Sequence, residues 1–333
     1  MMSTGVAVSL CNAENILCSA KPLFTFLHLN DTHLSGSLES KGVYAGANKR
    51  LKWFIEKMNS GDLVKPDFAL GLGDMINGGD LEAFAPQFLE LKTNVLAKLP
   101  FPVYPCVGNH ENKQRQGDDV YEKPYIDAFG SGRQNYTFEK GGIQFVVFDN
   151  SGMPPRDSTG LREQHERSRV KMIAWLRQTL QANSQQPKIL CCHIPAACLR
   201  EEEVLKKSFG FPSYYALDNE LLELLKSHND SVLAVLSGHL HLTGCVKVDG
   251  IYHIVTSGLA SYPHDFGIYE VYADRIDVRM ESVPKSMSEP YASNIHCSRR
   301  HKIDYTDKDH PTHELYVSGN PAERKFSIEL RGR

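Results

Sequence analysis

The stretch 23-LFTFLHLNDTHLSG-36 decides how this chain is read, because an apolar β-type run drives straight into Asp31, Thr32 and His33. Taken singly, an acid and an imidazole one residue apart behind a strand describe a capped turn. The pattern recurs, however. Further apolar runs end on Asp74 in 70-LGLGD-74, on Asn109 and His110 in 105-PCVGNHE-111, on His193 in 190-LCCHIP-195, and on His239 and His241 in 236-LSGHLHLTG-244. A lone Gly-Asp makes a turn, but GNHE and GHLH place histidine in glycine-opened turns where an imidazole has little packing to gain. The period of extended backbone also sets His239 and His241 on one side.

Working outward from these blocks, short β-type runs alternate with helix-length segments, the pattern of strands covered by helices in a layered α/β domain. The expected strands are LFTFLHL, DFALGLG, PVYPCVG, IQFVVFD, KILCCH, SVLAVLSG and IYHIVTSG. The expected helices are NKRLKWFIEKMN, LEAFAPQFLELKTNVLAKL, RVKMIAWLRQTLQAN and NELLELLKSHN; in the first, Leu51, Phe54, Ile55 and Met58 form a core stripe. The segment 267-GIYEVYADRIDVRM-280 alternates apolar and polar residues and reads as one half-exposed antiparallel strand, so the sheets are expected to be mixed. The polar stretches 111-ENKQRQGDDVYEKPYIDAFGSGRQ-134 and 150-NSGMPPRDSTGLREQHERS-168 read as loops.

In an α/β sheet the carboxyl ends of strands lie at one edge, so residues distant in sequence converge there, on loops held by a rigid scaffold. Carboxylate oxygen mixed with imidazole nitrogen suits Mn, Fe, Zn or Ni better than Ca or Mg, which prefer oxygen shells. Seven converging ligands exceed one tetrahedral ion and suit two ions sharing a carboxylate.

The ordered set Asp31-Thr32-His33, Gly73-Asp74, Gly108-Asn109-His110-Glu111, His193 and Gly238-His239-Leu240-His241 resembles the calcineurin-like metallophosphoesterases over residues 23 to about 260. The resemblance implies a four-layer α/β/β/α sandwich of two mixed β-sheets flanked by helices. It implies one metal held by Asp31, His33 and His241, a second by Asn109, His193 and His239, with Asp74 bridging them. His110 would contact the scissile phosphate and assist the leaving group. Asn77 stands where the related purple acid phosphatases carry a tyrosine, so a ferric-tyrosinate centre is not expected, and the motif style looks more like class III cyclic-nucleotide phosphodiesterases.

The expected function is therefore hydrolysis of small phosphodiesters, cyclic or linear nucleotide derivatives, by attack of a hydroxide bridging two metal ions. A phosphomonoesterase, a nucleotide pyrophosphatase and a non-catalytic scaffold of the same fold are the alternatives. For gripping substrate, Asn109, His110, Arg115, Arg156 and His264 are the candidates, with Arg133, Arg162 and Tyr262 considered beside them. An arginine in a loop is ordinarily a solvated charge, and the sequence does not separate the two readings.

Composition bounds the rest. The chain has 333 residues and a formal net charge of -3, which gives no basic field for neutralising nucleic-acid phosphates. Its eight cysteines form no CxxC pair and most read as reduced thiols, Cys191 and Cys192 as small buried strand residues. No apolar run approaches the roughly 18 residues of a membrane-spanning helix. The N-terminal segment lacks a lysine or arginine before Lys21 and reads as a poor secretory signal, so a cytoplasmic location is expected. We expect a catalytic domain at 22–285, a C-terminal extension at 286–333 that packs on the domain or trails from it, and an N-terminal segment at 1–21; a homodimer is compatible with this reading.

Overall fold

The computed structural model describes residues 21–39, 45–111, 122–153, 162–200, 216, 218–288 and 308–330. The N-terminal segment up to residue 20 and the centres of both expected polar loops lie outside these residues.

Twelve strands among the described residues build two six-stranded sheets. The first has the order β12-β11-β10-β1-β2-β3, from β1 (Phe24–Leu29), β2 (Phe68–Leu72), β3 (Val103–Cys106), β10 (Asp265–Val271), β11 (Arg275–Ser282) and β12 (Lys325–Glu329). In the second the order is β4-β5-β6-β7-β9-β8, from β4 (Tyr136–Lys140), β5 (Ile143–Val147), β6 (Lys188–Cys191), β7 (Val232–Ser237), β8 (Gly244–Val248) and β9 (Ile251–Val255). Both sheets are mixed. β1, β2 and β3 run parallel, as do β5, β6, β7 and β9, while β10 meets β1, and β4 meets β5, in antiparallel register.

The period of two along each strand explains the layers. On β1, Phe24 and Phe26 point between the sheets, and Leu27 and Leu29 point to the helices. Phe26 stacks on Tyr269 at 4.6 Å and on Phe68 at 5.3 Å and meets the edge of Phe145 from the opposite sheet at 5.3 Å; such pairs add ~0.5–1.5 kcal/mol each beyond the area they bury. Helices α1 (Ala45–Ser60) and α2 (Leu81–Glu90) cover the outer face of the first sheet through Leu51, Phe54, Phe84 and Phe88. Helices α4 (Arg162–Gln181) and α5 (Asn219–Lys226) cover the second through Met172, Leu176, Leu221 and Leu224. The result is an α/β/β/α sandwich, with α3 (Glu122–Phe129) packed beside α2.

Three expectations need correction. The single strand expected at 267–280 is a hairpin of β10 and β11: after Tyr269 and Val271 the alternation resumes with Ile276, Val278 and Met280 beyond a turn at Ala273–Asp274 that carries no glycine or proline to mark it. The polar stretch 111–134 contains α3, whose Tyr125 is buried against Phe88. The stretch 150–168 gives way to α4 at Arg162. Cys191 and Cys192 are fully buried on and just after β6, and the five described cysteines are free thiols.

Candidate metal centre

The carboxyl ends of β1, β2, β3, β6 and β7 converge, and the loops that follow lock to one another before any side chain is considered. Asp31 N–H donates to Gly73 O at 3.0 Å and His33 N–H to Asp74 O at 3.0 Å, joining the β1 and β2 loops across the first sheet. On the second sheet, Gly238 N–H donates to His193 O at 2.9 Å. Gly73, at φ +84°, lets His193 lie against the backbone, since a Cβ there would run into the imidazole. Asp31, His33, Asp74, His239 and His241 all have φ between 44° and 70°. Left-handed backbone on non-glycine residues costs of order 1–3 kcal/mol each and persists only where surroundings over-determine it; it clusters at functional sites.

Three groups of side chains meet closely enough to hold metal: Asp31 with His33 and His241, Asp74 with His193 and His239, and His33 with Asp74 and His110. In the first, His33 Nε2 and His241 Nε2 are 3.1 Å apart and lie 3.6 and 3.2 Å from Asp31 Oδ1, a buried oxygen with no hydrogen bond. The other Asp31 oxygen accepts from His239 N–H at 2.9 Å and from Asn30 Nδ2, so the carboxylate presents Oδ1 alone. In the second group, His193 Nδ1 is 2.8 Å from Leu72 O and must donate to it. That leaves the Nε2 lone pair of the neutral ring aimed at Asp74 Oδ2 (3.3 Å) and Asn109 Oδ1 (3.2 Å), two oxygens with no proton to give. Such an array is repulsive without a positive charge, and it fits a pair of metal ions sharing Asp74.

The electrostatics carry the same signature. Burial opposes charge on His193, yet the Asp74 carboxylate overrides it and drives the imidazole up to about 10. His33 is likewise raised, against burial, by Asp31 and Asp74. His239 goes the other way, down to about 3, because burial and the neighbouring His193 both disfavour its cation. Burial opposes ionisation of Asp74 and Asp31, but the surrounding imidazoles hold both carboxyls below the ordinary range. Protons here occupy a field that divalent cations would satisfy better.

His110 stands on the open side. Its Nδ1–H donates to Asn77 O, and its Nε2, 3.8 Å from Asp74 Oδ2, belongs to a side chain 31% exposed. Asn109 places its amide oxygen beside His193. His264, a substrate candidate by sequence, is fully buried with Nδ1 towards Leu259 O at 3.2 Å, and burial followed by Arg50 lowers its pKa to about 3. It has no surface to offer a substrate, so that expectation is withdrawn. Arg115 and Arg156 lie outside the described residues. Arg133 lays its guanidinium over Tyr136 at 4.9 Å, and Arg162 opens α4 on an exposed face.

Sequence reading missed the residues that set this geometry. Glu111 accepts from Asp74 N–H (2.7 Å), Met75 N–H (2.7 Å), Ile76 N–H (3.1 Å) and Gly108 N–H (2.8 Å), so one carboxylate ties the Asp74 loop to the Asn109 loop. Burial and then Asp74 push its carboxyl up to about 7, while these donors pull it down. Asn30 donates to Thr256 O at 3.0 Å and accepts from Thr256 Oγ, fixing the amide that orients Asp31. Ser261 Oγ meets His241 Nδ1. Only the position of Glu111, inside GNHE, carried any signal of its role.

Residues 24–242 match the model of the calcineurin-like phosphoesterases, and the chain belongs to that family. Beyond the family, it is 25% identical over 226 residues to a Moraxella catarrhalis protein named "Probable cyclic nucleotide phosphodiesterase", covering 66% of this chain and 71% of that one. It is 24% identical over 231 residues to a cAMP/cGMP dual specificity phosphodiesterase of Mycobacterium tuberculosis, covering 69% of this chain and 66% of the relative. The chain thus spans about two thirds of the length of these relatives. Among solved structures, a dimetal phosphatase from Danio rerio superposes with a TM-score of 0.56 at 19% identity, covering 79% of this chain and 97% of that one. A purple acid phosphatase from yellow lupin superposes with a TM-score of 0.54 at 14% identity over 79% and 52% of the two chains. These likenesses show the fold. No helix among the described residues is long and apolar enough to cross a membrane.

Proposed function

We propose that this metallophosphoesterase is a phosphodiesterase that uses two transition-metal ions and acts on small phosphodiesters, cyclic nucleotides first among them. The observation that carries the reading is the convergence of Asp31, His33 and His241 beside Asp74, His193, His239 and Asn109, with His110 on the open rim. The names of the two bacterial relatives support the diester over the monoester.

Asp31, His33 and His241 would hold one ion and Asn109, His193 and His239 the other, with Asp74 between. When bound, such ions offset the charge of the phosphate oxygens and acidify water. The chain's own residues do the rest. Leu72 O fixes the His193 tautomer and Ser261 the His241 ring, so both present Nε2 inward without a search through rotamers. His110, with Nδ1–H committed to Asn77 O, directs Nε2 to the cleft, where the doubly protonated ring gives a proton to the departing oxygen. Mn, Fe, Zn and Ni all suit this mixed oxygen and nitrogen donor set.

The test compares kcat/KM for 3′,5′-cyclic AMP, 2′,3′-cyclic AMP and p-nitrophenyl phosphate with Mn2+ present. At least tenfold preference for a cyclic diester is expected. Preference for the monoester, or turnover of neither class, would overturn the diester reading.

A further inference from the structure

The turn carrying His239 and His241, like that carrying Asp31 and His33, holds two non-glycine residues in left-handed backbone, with φ of 70° and 51° at the two histidines, and it is not held by the strands alone. Two residues beyond His241, every polar group of Thr243 is engaged. Its N–H donates to Val317 O at 2.8 Å, and its carbonyl accepts from Arg200 Nη2 at 2.8 Å. Its hydroxyl donates to Asp265 Oδ2 at 2.6 Å and accepts from Ser257 N–H at 3.1 Å.

The outer ends of these bonds lead to the C-terminal residues. Asp265, fully buried, receives both terminal nitrogens of Arg324, at 2.5 and 3.0 Å. Arg200, also buried, donates to Glu323 Oε1 at 2.7 Å and to Tyr316 O at 3.0 Å, and Glu323 Oε2 meets His310 Nε2 at 2.6 Å. Between the two ionic knots, Tyr316 and Val317 pack in one apolar cluster with Leu240 and Leu242, the residues on either side of His241. The segment is anchored in turn by β12, which pairs with β11, and by the capping box of the short helix α7 (Pro321–Arg324), which follows α6 (His313–Ser318). All of it lies beyond the residues that match the family model.

We propose that residues 308–330 form a brace that sets the His239–His241 turn for metal binding, with Arg324 and Arg200 as positioning residues acting through Asp265, Glu323 and Thr243. The proposal rests on the metal-centre reading above. A strained ligand turn gains affinity for its ion when its geometry is fixed beforehand; partners bonded directly to metal ligands typically matter by about 10–100-fold in affinity, and a brace that reaches His241 through Thr243 is expected at the lower end of that range. The brace therefore acts on the ion's dissociation constant as well as on the fold.

The experiment uses the full chain, stripped with chelator, and compares wild type with Arg324→Met and Arg324→Lys by circular dichroism, thermal melting and calorimetric titration with Mn2+. Arg324→Met is expected to keep its secondary structure and to weaken Mn2+ binding about tenfold or more, and Arg324→Lys to recover part of that loss. Mn2+ affinity within twofold of wild type, in a folded variant that merely melts earlier, would overturn the proposal. Should Arg324→Met fail to fold, Glu323→Gln, which keeps the shape but removes the charge shared by Arg200 and His310, is read by the same two criteria. Wild-type protein that takes up no Mn2+ overturns the metal-centre reading itself and the brace with it.

Discussion

Replacing Asn30 with alanine should cost stability and metal affinity together, although Asn30 itself belongs to none of the groups of candidate ligands. The residue is fully buried and makes three bonds: to Asp31 Oδ2, to Thr256 O at 3.0 Å, and from Thr256 Oγ. A hydrogen bond to a charged group contributes ~1.5–3 kcal/mol, and a buried polar group left without a partner costs ~1–3 kcal/mol. In Asn30→Ala the charged bond to Asp31 is lost and the Thr256 carbonyl and hydroxyl are orphaned, a gross loss of roughly 3.5 to 9 kcal/mol. Water entering the vacated space offsets part of it, so a net loss of about 3 kcal/mol is expected. Thr256→Val, which removes only the hydroxyl, should cost about 1 kcal/mol, and the double variant should fall short of the sum because the two share a bond. Urea unfolding of the metal-free protein measures the stability change. Mn2+ titration, expected to weaken about tenfold because Asp31 keeps only His239 N–H to orient it, measures the second. A loss below 1 kcal/mol with unchanged Mn2+ affinity would refute the argument that Asn30 aims the carboxylate.

Three further outcomes follow from the same geometry. Asp74→Ala should lose both ions and turnover, whereas His110→Ala should keep both ions and lose turnover by about a hundredfold, as elemental analysis and steady-state kinetics would show; two ions retained in Asp74→Ala would contradict the bridging role. Gly108→Ala should fold poorly or bind no metal, since its Cβ would collide with the Asp74 backbone and with Glu111, and a variant with wild-type thermal midpoint and metal content would contradict this packing. Glu323 is held below its ordinary 4.5, against burial, by His310 and Arg200, so its contribution is complete above about 4.5 and lost as pH falls through the lower folded value. The stability difference between wild type and Glu323→Gln should shrink on acidification below pH 4.5, and a difference that grows there would reverse the assignment.

The fold and the candidate ligands were legible in the sequence for one physical reason. Most of the candidate ligand blocks follow a strand buried on both faces, so a continuous apolar run points at them; Phe24–Leu29 and Phe68–Leu72 show this most plainly, while Val103–Cys106, before Asn109, is only half-buried at its start. The hairpin of β10 and β11 was misread as one strand because polar alternation does not stop at a turn that lacks glycine or proline. The supporting layer was not legible. Glu111 satisfies four backbone N–H groups on loops that only tertiary structure brings together. Arg200 meets Glu323 across 123 residues and Arg324 meets Asp265 across 59. His264 looked available because it follows Tyr262-Pro263 in a turn-like stretch, but its ring faces inward.

The most direct test of the account is hydrolysis of bis(p-nitrophenyl) phosphate by chelator-stripped protein reloaded separately with Mn, Fe, Zn or Ni, with bound metal counted in the same samples. The account predicts two ions per chain and diester turnover that appears only as they bind. Turnover that persists undiminished in chelator, or a folded chain that retains no metal under any loading, would contradict it.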